Sequence, residues 1–152
     1  MDVAFQSLVS KMPGLLTKLL GCPSHYFGGN TPKDMPKRGV YLFSDSGQHL
    51  YVGRTNRLRH RHKEHCAGRH NDAPFAFKLA RIEAQRPRVA GGLTRMQLEQ
   101  DAAFADAFQK AKDRVSKMEF RWVEVADANT QCLFEIYATL TLDAQHNDFE
   151  NH

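Results

Sequence analysis

Residues 39–55, GVYLFSDSGQHLYVGRT, decide the fold of this chain. Two stretches rich in β-branched and aromatic residues flank Asp45-Ser46-Gly47, which predicts a β-hairpin. A three-residue loop that ends on glycine in the left-handed region closes a common bulged type of hairpin. The pairing predicted from this loop is Val40 with Val52, Leu42 with Leu50 and Tyr41 with Tyr51.

Side chains alternate between the two faces of a strand. The four aliphatic residues of these pairs therefore share one face of the hairpin, and the two tyrosines share the other. We expect the aliphatic face to pack on the core. The opposite face would carry two neighbouring phenols, which can hydrogen-bond, orient water or lose a proton.

A helix is predicted directly after the hairpin, capped by Thr55 or Asn56 and running to about Cys66. Leu58, Arg61 and His65 follow at spacings of three and four, so they share one stripe of this helix.

Positive charge is concentrated in the same region. Residues 54–70 hold six basic side chains against one acid, Glu64. The basic residues are Arg54, Arg57, Arg59, Arg61, Lys63 and Arg69. A helix of this charge beside a polar sheet face predicts a phosphate-binding site, formed by guanidinium groups and by the helix N-terminus.

At this point the sequence resembles the signature of the GIY-YIG nucleases. The resemblance lies in Gly39-Val40-Tyr41, in Tyr51-Val52-Gly53-Arg54-Thr55, and in Leu58, Arg61 and His65 at their spacings. Glu135, within Leu133-Phe134-Glu135-Ile136-Tyr137, looks like the metal-binding glutamate of that family, and Asn147 looks like its later asparagine. The resemblance spans residues 39 to 147, with an insertion in the middle.

The resemblance implies a metal-dependent endonuclease that hydrolyses phosphodiester bonds in nucleic acid, most simply double-stranded DNA. Tyr41 would be the general base, Tyr51 would orient the water, and Glu135 would hold one Mg²⁺ or Mn²⁺ ion. The implied catalytic residues are Tyr41, Tyr51, Arg61, His65 and Glu135. The implied substrate-binding residues are Gly53, Arg54, Arg57, Lys63 and Asn147.

The resemblance also implies the fold class: an α+β protein whose small three-stranded, mostly antiparallel sheet is flanked by helices. Residues 1–38 are predicted to form a helical extension and a loop, with two short helices around Pro13-Gly14. Residues 39–152 would form the nuclease domain with a helical insertion at about 68–114, and the whole chain would be one globular domain.

Three further helices and a strand are predicted downstream. Pro74 would open a short helix to about residue 84. Thr94 and Gln97 form a capping-box pattern for a long helix to about Ser116. A third strand is expected at residues 118–125, followed by the Glu135 helix with Asp127 or Asn129 as its cap. Two sets of residues are predicted to face the core: Leu98, Ala102, Ala105, Phe108, Ala111 and Val115 on the long helix, and Leu133, Ile136, Tyr137 and Leu140 on the Glu135 helix.

Composition agrees with a nucleic-acid partner without requiring one. The 152 residues include 21 basic and 17 acidic side chains, a formal net charge of +4. The three cysteines cannot all pair, so a reducing, cytoplasmic location is expected. The N-terminal residues resemble neither a signal peptide nor a membrane span, and no membrane partner is expected.

Two other functions stay open at this point. The chain could be a nucleic-acid-binding module that keeps the scaffold without turnover. The cluster His60, His62, His65, Cys66 and His70 could instead bind zinc in an interaction domain. A homodimer and a recruiting protein partner are both compatible with the sequence.

Overall fold

The computed structural model describes residues 2–149 and has an α+β architecture. The strands are β1 (Gly39–Asp45), β2 (Gln48–Thr55) and β3 (Glu119–Glu124). The helices are α1 (Val3–Ser10), α2 (Met12–Gly21), α3 (Leu58–Ala67), α4 (Pro74–Glu83), α5 (Arg95–Gln100), α6 (Ala102–Ser116) and α7 (Ala128–Leu142). The strands form one antiparallel sheet in the order β2-β1-β3, which confirms the predicted fold class.

The chain divides into two compact units. The first unit comprises the residues up to Arg59 and those from Glu119 onward, and so contains the whole sheet with α1, α2 and α7. The second unit, His60–Met118, contains α4, α5, α6 and most of α3. The helical insertion predicted for residues 68–114 falls within the second unit.

The hairpin forms, but its predicted loop and register are wrong. Ser46 and Gly47 both have positive φ (51° and 79°), so they form the two-residue turn that matches the twist of antiparallel strands. A β-bulge lies opposite Phe43 and Ser44, where Leu50 is the extra residue on β2. The observed pairs are Val40 with Arg54, Tyr41 with Gly53, Leu42 with Val52 and Phe43 with Tyr51. From Gly39 to Phe43 the register moves by two residues, and this even shift leaves the side chains of these pairs on their predicted faces, whereas Leu50 lies unpaired at the bulge.

The aliphatic face of the sheet forms the core of the first unit, as predicted. Val40, Leu42 and Val52 are buried there beneath α2 and α7. Met12 and Leu19 of α2 join this cluster, so the second N-terminal helix packs on the sheet. The remaining buried members of the cluster are Val123, Val125, Phe134, Ala138 and Ala144.

The opposite face is aromatic and largely buried, whereas the sequence predicted a polar face with two neighbouring phenols. Tyr41 lies 5.5 Å from Phe120, and Phe43 lies 5.0 Å from the same ring, measured between ring centroids. Trp122 continues this row at 5.9 Å from Phe120. Both faces of the sheet are therefore packed, and the phenol of Tyr41 belongs to a hydrophobic cluster.

Helix α7 begins where predicted, because the Asp127 carboxylate accepts the backbone N–H of Thr130 at 2.8 Å. Its core-facing side was predicted only in part, because Leu133 and Tyr137 pack against the core cluster as predicted. Ile136 and Leu140 are exposed, whereas Phe134 and Ala138 are buried. Apolar residues occur all round this helix, so the sequence pattern did not single out one face.

In the second unit, the predicted capping box of Thr94 and Gln97 is present, but the helix that it opens is short. Asp101 adopts an extended conformation, ends α5, and caps α6 by accepting the backbone N–H of Phe104 at 3.1 Å. The single long helix of the prediction is thus two helices. Phe104 is buried and Ala102 is exposed, the reverse of the predicted stripe at these positions.

The two N-terminal helices meet at Lys11 rather than at Pro13-Gly14. Proline is tolerated in a first helical turn because the N–H that it lacks has no partner there, so Pro13 lies in the first turn of α2 instead of breaking a helix. Within residues 2–149, no helix is both long enough and apolar enough to cross a membrane.

Candidate functional site

Tyr41 lies against Gly53, its partner across the β1–β2 ladder. A Cβ atom built on Gly53 would sit 2.2 Å from the Tyr41 hydroxyl oxygen and 2.3 Å from Cζ. Only glycine leaves room for this phenol at that position. Tyr41 is 1% exposed, so its hydroxyl is held in a packed environment beside the strand backbone.

Tyr51 is not the direct neighbour of Tyr41 that the sequence predicted. It pairs with Phe43, two positions along the ladder from the Tyr41–Gly53 pair, and it is half-buried. The two phenols share a face but are diagonal to each other, because the two-residue turn and the β-bulge together shift the register by two residues.

Arg54 and Glu135 form an ion pair that joins β2 to α7. Nε of Arg54 donates to Oε2 of Glu135 at 3.1 Å, across 81 positions of the sequence. The arginine side chain is 45% exposed and the glutamate 21%, so the pair lies at the edge of the folded unit. Burial raises the pKa of Glu135, and the charge and hydrogen bond of Arg54 act against that rise.

Tyr41 and Glu135 contact neighbouring residues of β2. Tyr41 covers Gly53, and Arg54 is the next residue along the strand. Because side chains alternate, Gly53 and Arg54 point to opposite faces, so Tyr41 and Glu135 flank one short segment of backbone from two sides. The first unit therefore holds a phenol, a guanidinium and a carboxylate around residues 53 and 54.

Glu135 suits a magnesium ion only as a single protein ligand. Its carboxylate is of the right chemical type and partly exposed. In the part of the chain that the structure describes, no three His, Cys, Asp or Glu side chains are grouped closely enough to hold a metal. Mg²⁺ often keeps several waters and binds through one carboxylate plus substrate phosphate, so one glutamate fits that habit.

Asn147 is tied to the edge of the sheet. Its side chain accepts the backbone N–H of Val52 at 2.8 Å and donates to the Val52 carbonyl at 2.7 Å. The backbone N–H of His146 donates to the Leu50 carbonyl at 2.9 Å, so this segment continues the ladder beyond β2. Asn147 is thus bonded to the residue before Gly53, and substrate contact by Asn147 stays a prediction.

Arg61 and His65 belong to the second unit. There Arg61 is hydrogen-bonded within the unit and His65 is buried. Nη1 of Arg61 donates to Glu64 and to the Asp72 carbonyl, at 2.9 Å in each case. His65 is completely buried rather than on a helix surface, and burial, followed by the charges of Arg61 and His62, lowers its pKa well below the ordinary 6.5. His65 is consequently neutral at physiological pH. The spacing of Arg61 and Glu64 by three residues was visible in the sequence but was not interpreted as a pair.

The remaining predicted phosphate-binding residues are accessible. Arg57, just before α3, and Lys63, within α3, are both exposed, as a contact with a polyanion requires. The backbone N–H of Arg57 donates to the Thr55 hydroxyl at 3.0 Å, which shapes the turn between β2 and the helix.

The alternative zinc site is not supported. The metal-ligand grouping is absent from residues 2–149, including the cluster that begins at His60. Burial also raises the pKa of the Cys66 thiol to about 12, which opposes the thiolate form that zinc binds.

Comparisons with protein-family models, with curated proteins and with solved structures found no match to this chain.

Proposed function

We propose that this protein is a metal-dependent endonuclease, as the resemblance to the GIY-YIG signature implies. The observation that carries the proposal is the Arg54–Glu135 ion pair, which lies next to Gly53 and its contact with Tyr41 on the other face of β2. These residues offer a proton acceptor, a phosphate-binding cation and a magnesium ligand. Phosphodiester hydrolysis requires these three kinds of group.

Each residue would have a distinct role in the reaction. Glu135 would hold Mg²⁺ or Mn²⁺, which when bound supplies Lewis-acid stabilisation of charge on the phosphate oxygens. Arg54 would leave the carboxylate and bind a non-bridging phosphate oxygen, to which a guanidinium is well matched. Tyr41, in its phenolate form, would take the proton of the attacking water as that water oxygen bonds to phosphorus and the P–O bond to the leaving oxygen breaks; the leaving oxygen would gain a proton from solvent.

Arg61 and His65 keep the roles that the resemblance implies as proposals to be tested by substitution. The protonation state of His65 limits the role that it could have. Because its imidazole is neutral near pH 7, it could donate or accept a hydrogen bond, but it would not act as an imidazolium acid.

The burial of Tyr41 supports a second candidate, a nucleic-acid-binding module without turnover. A general base must reach the water that it activates, and a side chain with 1% exposure meets solvent poorly. In this module, Tyr41 would be a packing residue and the Arg54–Glu135 pair a structural link.

One assay separates the two candidates. Supercoiled plasmid is incubated with Mg²⁺ or Mn²⁺ and either the parent protein or the Glu135→Gln variant, which preserves shape and removes the charge. The matched control is Glu124→Gln, at an exposed acid on the end of β3. The nuclease predicts nicking by the parent and by the control, and at least a hundredfold slower nicking by Glu135→Gln. A parent that binds DNA but cleaves neither DNA nor RNA would favour the binding module.

A further inference from the structure

The second unit contains a pocket lined by arginines that has no role in the proposed cleavage site. Its volume is about 240 Å³. It lies between the end of α4, the loop that follows, and α5. The lining residues are Arg81, Arg86, Pro87, Val89, Gly92, Leu93 and Leu98.

The arginines around this pocket are held in place by the core of the second unit. The guanidinium carbons of Arg81 and Arg95 lie 5.2 Å and 5.4 Å from the centre of the Phe77 ring. Phe77 is 1% exposed and packs against Phe104 and Phe108. Nη1 of Arg81 also donates to the Arg86 carbonyl at 3.1 Å, so the cationic side chain is ordered before any ligand arrives.

The cluster brings like charges together. The pKa of Arg81 is lowered by burial and then by the charges of Arg95, Arg88 and Arg86. Asp101 faces Arg86 at 4.0 Å, the outer limit of an ion pair, and its other carboxylate oxygen caps α6. The electrostatic repulsion between positive charges at a pocket is reduced when an anion binds among them.

The size and lining of the pocket favour one phosphate group with part of its sugar. Pockets for whole small molecules are typically about 300–1,000 Å³, and this pocket is smaller. Guanidinium groups match phosphate oxygens in geometry, while Val89, Leu93 and Leu98 supply an apolar wall. Arg86 is 42% exposed, so the pocket is accessible from the surface of the unit.

We propose that the Arg81–Arg86 pocket is a phosphate-binding subsite for the backbone of nucleic acid, contributed by the helical insertion. The choice of nucleic acid over another polyanion rests on the proposed function and on the net charge of +4. The subsite would hold a phosphate of the bound strand other than the one being cut.

The test compares Arg86→Gln with Arg114→Gln, each of which removes one positive charge from the second unit. Arg114 is exposed in the last turn of α6, about 18 Å along the axis from the start of that helix. Both changes are made in the Glu135→Gln background so that cleavage does not interfere. Binding of a labelled 20-base-pair duplex is followed by fluorescence anisotropy at several NaCl concentrations, and thermal melting checks that each variant folds.

Arg86→Gln is expected to weaken duplex binding about fivefold to tenfold at ~100 mM salt. It should also reduce the slope of log K against log salt by about 0.9, the value for one phosphate contact. Arg114→Gln should change the affinity less than twofold. Equal affinities for the two folded variants would overturn the subsite.

The outcome for the subsite is separate from that for the nuclease. If Glu135→Gln nicks plasmid as fast as the parent, the proposed cleavage site fails, while a selective effect of Arg86→Gln on binding still supports the subsite. If nicking requires Glu135 but Arg86→Gln binds normally, the subsite fails alone.

Discussion

Replacement of Gly53 by alanine tests the contact on which the Tyr41 geometry depends. The new Cβ would lie 2.2 Å from the hydroxyl oxygen and 2.3 Å from Cζ of Tyr41, against 3.4–4 Å for ordinary contact. The ring would have to move by about 1 Å. It is fully buried beside Phe43 and Phe120, so little free space is available for this movement.

Overpacking of this kind costs typically about 1–3 kcal/mol, and the size of the overlap places Gly53→Ala near the upper end. For a chain of this length, each kcal/mol lowers Tm by about 2–4 °C. We therefore expect a free energy of unfolding about 3 kcal/mol lower and a Tm lower by roughly 6–12 °C. Urea unfolding and thermal melting, both followed by circular dichroism, measure the two quantities.

Gly14→Ala is the matched control for this substitution. Gly14 lies within α2, and a Cβ there would have no atom within 4 Å. Because alanine has the higher helix propensity, this variant should gain up to about 1 kcal/mol of stability. The same substitution is thus expected to lower the free energy of unfolding at position 53 and to raise it at position 14.

A double-mutant cycle assigns the cost of Gly53→Ala to the phenol. Leucine at position 41 lacks the hydroxyl oxygen and the two ring carbons that approach the built Cβ most closely. In a Tyr41→Leu background, Gly53→Ala should therefore cost about 1–2 kcal/mol less than in the parent. The reasoning would be refuted by a Gly53→Ala variant within about 0.5 kcal/mol of the parent, or by an equal cost in both backgrounds.

Three other predictions concern the phenol, the C-terminal tie and the buried histidine. Tyr41→Phe should slow plasmid nicking about a hundredfold or more, since the general base is lost, while the Kd for DNA stays within twofold; unchanged nicking would assign the base to another group. Asn147→Ala should lower the free energy of unfolding by about 1–3 kcal/mol, because two hydrogen bonds to Val52 are lost; Gln145→Ala, at an exposed neighbour, should change it by less than 0.5 kcal/mol in the same urea titration, roughly the scatter of surface substitutions. Burial lowers the pKa of His65, so as the pH falls this histidine gains its proton in the unfolded chain before it does so in the folded chain. The free energy of unfolding therefore falls as the pH drops below 6.5. His65→Leu should lose about 1 kcal/mol less than the parent between pH 6.5 and 5.5, and equal losses would show that His65 is not the group responsible.

The features that the sequence determined are local ones. The alternation of Val40, Tyr41 and Leu42 placed these side chains on the correct faces even though the turn was wrong, because the register error was an even number of residues. The caps at Thr94 and Asp127 were also readable, since each bond joins residues three positions apart. Interactions this short depend little on the rest of the chain.

The tertiary structure decided the features that depend on distant partners. Only the packed sheet shows that Tyr41 lies in an aromatic cluster over Gly53 instead of on an open polar face. The Arg54–Glu135 ion pair spans 81 positions and the tie from Asn147 to Val52 spans 95. A residue pattern specifies the direction of a side chain relative to its own strand or helix, whereas burial and pairing are set by whatever the rest of the fold brings alongside. The sequence therefore supplied the candidate catalytic residues, and the structure determined which of them are accessible and what each contacts.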